Sequence, residues 1–301
     1  IFKNFTVKNN VMKKFLIIIL TLFVFNVSNA EDVENKITSS LNNLISNGVG
    51  KITESLKGNE KIKYLDIEAQ IKENLKPTFG ITNVNSLVEN NKSVLFNQNS
   101  LSLHNDDQTV NIGFGYRSLI NDDKIILGSN IFFDQSFDDS HQRTGLGVEA
   151  ISSVFDLRSN YYNAVSGIKD VGSSTEEALD GWDARLDYHL PKLPIHIYTA
   201  LYEFENSAKS FEVKGSKYGL EINNKFTSLD IGYDDDNQGN DRAYANFKFK
   251  ITLNADDYEN STRQNALEYV SVADKLYQPV KRENKIRIVK INALGITAST
   301  F

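Results

Sequence analysis

The chain has 301 residues, no cysteine and a formal net charge of −6. The length suits one large domain with appendages or two ordinary ones. The missing cysteines rule out disulfides and metal–thiolate sites, and the acidic balance argues against nucleic-acid binding. Mean hydropathy is negative, which excludes no membrane barrel, because only alternate strand residues face lipid.

Met12, Lys13 and Lys14 precede an apolar run over 15–27 and then Ser28, Asn29 and Ala30. A charged start, a short apolar core and a small-residue cleavage site read as a secretory signal peptide cut after Ala30. The run is too short to span a bilayer, which takes about 20 apolar residues. Residues 1–11 read as sequence upstream of a Met12 start, so region 1–30 is upstream sequence and leader. Over 33–56, Val33, Ile37, Leu41, Leu44, Ile45, Val49, Ile52 and Leu56 recur at helical spacing, which predicts a short periplasmic helical segment within 31–61.

After Lys61 the period changes to two. Val110, Ile112, Phe114 and Tyr116 alternate with Asn111, Gly113, Gly115 and Arg117. Thr144, Leu146, Val148 and Ala150 oppose Arg143, Gly145, Gly147 and Glu149, and Trp182, Ala184, Leu186 and Tyr188 oppose Asp183, Arg185, Asp187 and His189. The spacing predicts about twelve strands, at 64–71, 76–87, 93–103, 109–119, 124–135, 141–152, 155–164, 181–190, 195–204, 216–223, 226–233 and 241–253. Those at 76–87 and 93–103 alternate poorly. Most have the length a tilted membrane strand needs, roughly 9–11 residues.

The polar face identifies the solvent on the other side. A soluble sandwich buries its apolar face and wets its polar one. Here the polar face mixes full charges with glycines, which weaken a strand unless something must approach closely. A crowded, charged lumen supplies that reason. The expected lumen residues are Arg117, Asn130, Asp134, Arg143, Glu149, Asp183, Arg185 and Asp187, with Gly113, Gly115, Gly145 and Gly147 clearing space between them. Phe133, Tyr161, Trp182, Tyr188, Tyr233 and Phe247 sit near strand ends on the apolar face, as girdle aromatics do. Connections after even strands are short, whereas those after odd strands include the two longest, 165–180 and 205–215. This is the expected asymmetry of inner turns and outer loops. The fold class is therefore an all-β, antiparallel transmembrane barrel over 62–253.

Beyond Leu253 the alternation stops. Residues 257–276 carry a weak helical stripe, and YQPVKRENKIRI at 277–288 is a proline-broken turn followed by a basic extended segment. Together with VNIGFGYR at 110–117, LGSNIFFD at 127–134, QRTGLGVE at 142–149 and GWDAR at 181–185, this order of motifs resembles the inverse autotransporters represented by intimin and invasin. The resemblance covers roughly 42–291. It implies a twelve-stranded outer-membrane barrel with a periplasmic N-terminus, inserted by the barrel-assembly machinery with periplasmic chaperones. The chain after the last strand would turn back through the pore, carrying an immunoglobulin-like passenger that adheres to host or other cell-surface receptors. On this scheme 254–291 is a linker helix and pore-threading segment, with Lys281, Arg282, Lys285, Ile286, Arg287, Ile288 and Lys290 in the lumen. Arg287 and its neighbours would pair with Glu149, Asp183 and Asp187. Residues 292–301 would be the start of a passenger or a truncated tail.

Nothing points to catalysis. His104, His141, His189 and His196 stand at no metal-ligand spacing. No serine, histidine and orienting acid converge in the sequence, and there is no phosphate-cradling loop. Asp234, Asp235, Asp236 and Asn237 offer oxygen ligands but lack the glycine and distal glutamate of a calcium loop. No enzyme, cofactor or nucleic-acid partner is expected. The alternatives to a translocator and anchor are a passive pore without a passenger and a soluble β-rich binding protein.

Overall fold

In the computed structural model, the described residues are 61–104, 107–137, 140–171, 174–224, 227–250, 269–292 and 295–299. The predicted leader with its Ala30 cleavage site, the helix predicted at 33–56, and the first part of the predicted linker, 254–268, lie outside them.

Among the described residues, sixteen strands follow in chain order. They are β1 (Ile62–Lys72), β2 (Thr78–Glu89), β3 (Ser93–His104), β4 (Asp107–Ile120), β5 (Ile125–Ser136), β6 (Gln142–Ser152), β7 (Phe155–Ala164), β8 (Lys169–Val171), β9 (Ser174–Ala178), β10 (Asp180–His189), β11 (Ile195–Glu205), β12 (Glu212–Asn223), β13 (Thr227–Asp236), β14 (Arg242–Lys250), β15 (Ile288–Asn292) and β16 (Gly295–Ser299). Twelve of them, β1–β7 and β10–β14, form a closed antiparallel barrel. Closure runs through β1 and β14, in register from Asp66 opposite Lys250 to Lys72 opposite Tyr244. A closed barrel pairs the backbone groups that lipid cannot satisfy.

Alternation sets the wall. Ile112, Phe114, Tyr116, Leu146, Val148 and Leu201 are exposed apolar residues on the outer face, while Asn111, Arg117, Arg143, Glu149 and Asp187 between them are buried on the inner one. An apolar belt of this extent is stable only against lipid. The turns after β2, β4, β6, β10 and β12 are short and define one rim. In one of these turns Asn121, Asp122 and Asp123 all adopt positive φ, which Asn and Asp tolerate better than most residues. The other rim carries the long connection between β7 and β10, which itself holds β8 and β9.

The inner face is not uniformly polar. Near the short-turn rim Val84, Val94, Phe96, Leu119, Ile126, Phe132 and Ile151 point inward as a cluster. This explains the poor alternation of β2 and β3. On the outer face of the same two strands, Asn83, Asn85, Asn97 and Asn99 hydrogen-bond to one another, so apolar residues inside and polar ones outside blur the period of two.

A second sheet, in the order β16-β15-β9-β8, stands at the long-loop end. It joins the loop between β7 and β10 to the C-terminal segment. The sequence predicts an outer loop over 165–180 and an extended pore-threading segment up to 291, with no sheet between them, because strands of three to five residues are too short to show a period.

The lumen and the segment that crosses it

The candidate site is the lumen, and its parts are built from the glycines upward. A Cβ on Gly113 would stand 2.2–2.5 Å from ring atoms of Phe132, and one on Gly115 2.2–2.8 Å from those of Phe96. The glycines therefore seat aromatic rings flat against the wall. Each ring then carries a cation, with the Arg117 guanidinium 4.7 Å from the Phe96 centroid and Arg282 4.3 Å from that of Phe132. Gly147 faces the amides of Asn130 and Asn160 instead. Only Gly145 of the four admits the segment directly, against the Arg282 guanidinium. The nearest neighbours at the other three are side chains of adjacent strands.

Residues 269–292 meet the barrel from one rim to the other. At the short-turn rim the Val272 N–H donates to the Asp123 carbonyl at 2.8 Å, and the Val270 N–H to Ser153 Oγ at 3.1 Å. A single 3₁₀ turn, Ala273–Lys275, is the only helix among the described residues of the predicted linker. Lys275 donates to the Ser152 carbonyl at 2.7 Å. Val272, Leu276 and Val280 then pack on the apolar cluster of β2–β6.

Farther in, the segment's backbone is gripped by wall side chains. Arg117 donates to the carbonyls of Leu276 and Gln278 at 2.8 and 2.5 Å. The Val280 N–H donates to Gln98 Oε1 at 2.7 Å. Asn160 donates to the Lys281 carbonyl, Arg143 to that of Glu283 and Asn111 to that of Asn284. The Glu283 N–H donates to Tyr162 Oη at 2.7 Å. Carbonyls with such partners cost nothing to bury, and unpaired ones would.

The charges pair in layers. Arg282 forms a bidentate fork on Asp134, at 2.8 and 2.7 Å, which Arg143 also contacts at 2.8 Å. Lys281 reaches Asp187 at 3.2 Å and Glu221 at 2.6 Å. Arg287 pairs with Glu283 of its own segment at 3.3 Å and stacks over Tyr202 and Phe204. Of the three acids expected to receive the segment's cations, only Asp187 does so. Glu149 is taken by Arg117 and Arg158, and Asp183 accepts from Tyr162 and Asn160. Partners on the strands themselves, arginines for Glu149 and a tyrosine with an asparagine for Asp183, thus occupy those acids. Lys285 donates to Thr78 Oγ1. Ile286 packs with Ala178 and Ile288. Ile288 and Lys290 stand in β15, paired with β9.

Asp187, His196 and Glu221 bring ligand atoms within 4.8 Å of one another, a set the sequence reading missed because it spans three strands. Arg185 and Lys281 already engage both carboxylates, so the cluster reads as an ion-pair node. In the acidic run, Asp234 turns inward to pair with Lys72, and Asp236 accepts from the Gln238 and Asn240 N–H groups. They serve different sites. A hydrogen bond with Asp235 raises the Asp241 carboxyl pKa in the adjoining loop. His189 stacks on His196 and meets Asp156 at 3.1 Å. His141 lies 3.2 Å from Ser166, whose Oγ also accepts from the Gln142 N–H.

The family profile described as "Inverse autotransporter, beta-domain" matches residues 24–284. A curated Escherichia coli (strain K12) protein, described as a putative attaching and effacing protein homolog, is 33% identical over 114 residues. The match covers 37% of this chain and 38% of that protein's length. A solved membrane-protein structure reported as "Unveiling the Mechanism Behind the in-meso Crystallization of Membrane Proteins" has a TM-score of 0.64 at 20% identity, over 75% of this chain and 99% of that one. At that identity the likeness is one of fold. An outer membrane channel from Pseudomonas putida F1 gives a TM-score of 0.49 at 10% identity, over 64% of this chain and 96% of that one.

Proposed function

Because the chain belongs to the inverse autotransporter β-domain family, an outer-membrane barrel class rather than an enzyme class, we propose that it is the translocator and anchor of a C-terminal passenger. In this reading the short-turn rim faces the periplasm. The last strand returns the chain to that rim, and residues 269–292 are the linker left in the pore after export. Assembly would pass through periplasmic chaperones and the barrel-assembly machinery. An adhesive passenger joined at the C-terminal end would meet receptors outside the cell.

One observation carries the reading. The segment's backbone is hydrogen-bonded by side chains of β3, β4, β6 and β7 along its path, from Arg117 on Leu276 to Asn111 on Asn284. A passive pore would gain nothing from filling its own lumen this way, so that alternative is disfavoured. Two measurements test the proposal. Deleting 254–301 is expected to raise single-channel conductance in planar bilayers. A tagged domain fused after Phe301 is expected to become protease-accessible on intact cells. Unchanged conductance in a deletion that still folds would sink the linker assignment.

A further inference from the structure

The sheet at the long-loop end takes no part in closing the barrel. Its first half, β8 paired with β9, is a hairpin of only three residue pairs, Lys169–Glu176, Asp170–Thr175 and Val171–Ser174. A two-stranded hairpin is marginal in water, and one this short has too few contacts to persist alone. What completes the sheet is the crossing segment. Ile288, Val289, Lys290 and Ile291 of β15 add to β9 opposite Ala178, Glu177, Glu176 and Thr175, and β16 pairs β15 on the other side. The Leu179 N–H donates to the Arg287 carbonyl at 2.9 Å, continuing the ladder toward the lumen.

Side chains make the junction specific. Val289 joins Leu179, Tyr202, Phe204 and Phe211 in a buried cluster, and Ile286 and Ile288 bury Ala178. Glu176 is fully buried. One of its oxygens meets Lys290 Nζ, and the other lies 3.6 Å from His141 Nε2, on the neighbouring loop between β5 and β6. A buried carboxylate is costly unless a cation or donors reach it. Lys290 supplies that cation only when β15 is in place.

We infer that the loop between β7 and β10 is a clasp. It closes by strand addition on residues 288–292 once they stand at the long-loop rim, and it holds the segment in the lumen against withdrawal. Main-chain hydrogen bonds give such an addition its strength, and alternate side chains give it register. The inference rests on the proposed export reading, since a segment that never crosses the lumen needs no clasp.

The test uses the full chain in planar bilayers under applied voltage, beside the 254–301 deletion. Thr175→Pro with Glu176→Pro removes one backbone donor on the β15 side of β9, one on its β8 side and the buried acid, while leaving the barrel strands intact. Folding is checked by the heat-modifiable shift on gels. Openings are expected at least about tenfold more often than in the parent, the factor that loss of two ordinary hydrogen bonds gives. The chain has no cysteine, so Glu176→Cys with Lys290→Cys has no background. Its oxidised form is expected to open less often than the parent, with the parent frequency restored by reductant. If the deletion opens the pore and the proline variant behaves as the parent, the clasp is overturned and the linker assignment stands. If the deletion itself does not open the pore, both fall together.

Discussion

The two halves of the lumen hold the crossing segment differently. Strands β2–β7 bind its backbone and its apolar side chains, through Gln98, Asn111, Arg117, Arg143, Asn160, Tyr162 and the cluster around Phe96 and Phe132. Strands β10–β14 meet mainly its charged tips, as in Lys281 with Asp187 and Glu221, and Glu283 with Lys217. A cavity of about 900 Å³ remains beside β1 and β10–β14. The wall is built alike in both halves. Gly215, Gly219 and Gly232 leave room for Tyr202, Tyr198 and Tyr244, just as Gly113 and Gly115 do for Phe132 and Phe96. The difference lies in what the rings offer. The phenylalanines present apolar faces on which Val280 and its neighbours pack, whereas the tyrosine hydroxyls are turned to Asp230 and Asp234, and the cavity remains on that side.

The largest expected effect tests the gripping half. Arg117→Ala leaves Glu149 short of its nearest partner and strips two carbonyls of their donor. The cost is expected at about 3–5 kcal/mol, the usual range for breaking a buried pair. Urea unfolding followed by the single tryptophan, Trp182, measures it. The penalty should shrink in the 254–301 deletion, where those carbonyls are gone. An equal penalty in both backgrounds would mean that the grip contributes nothing.

Outside the barrel the halves should be equivalent. Phe114 and Leu201 are 49% and 53% exposed on the outer faces of β4 and β11. An arginine at either is expected to cost about 2–4 kcal/mol near the bilayer midplane. A cost at one position only would show that the wall itself, rather than its contents, distinguishes the halves.

Gly113→Ala is expected to cost about 1–3 kcal/mol, because the added methyl forces Phe132 off the wall. Arg282 loses its ring platform with it, so the openings of the full chain should also become more frequent. The smallest effect is expected at Lys217→Ala on the side of the cavity. Its ammonium lies 3.6 Å from Glu283 and 3.8 Å from Asp234 with the side chain 28% exposed, and such pairs contribute below about 1 kcal/mol. A loss as large as that at Arg117 would erase the distinction between the halves.

Much of the wall was legible in the sequence. The twelve observed barrel strands lie within four residues of the predicted spans, wherever their ends are described. A lipid-facing strand must alternate, and nothing tertiary is needed to see a period of two. Arg117, Arg143, Glu149 and Asp187, which fall on the polar phase of that period, are buried. Partnership was another matter. Arg282 on Asp134 spans 148 positions of sequence, and Asp187, His196 and Glu221 meet across three strands. Barrel shear and strand order decide such encounters. The clasp was invisible for a related reason. Neither Ser174–Ala178 nor Ile288–Asn292 is long enough to carry a pattern, and they join into one sheet only by pairing with each other. Outside β2 and β3, local alternation determined which residues face lipid and which face inward. Only the closed structure decided which inward residues touch, since contact across a lumen depends on curvature and register rather than on neighbours along the chain.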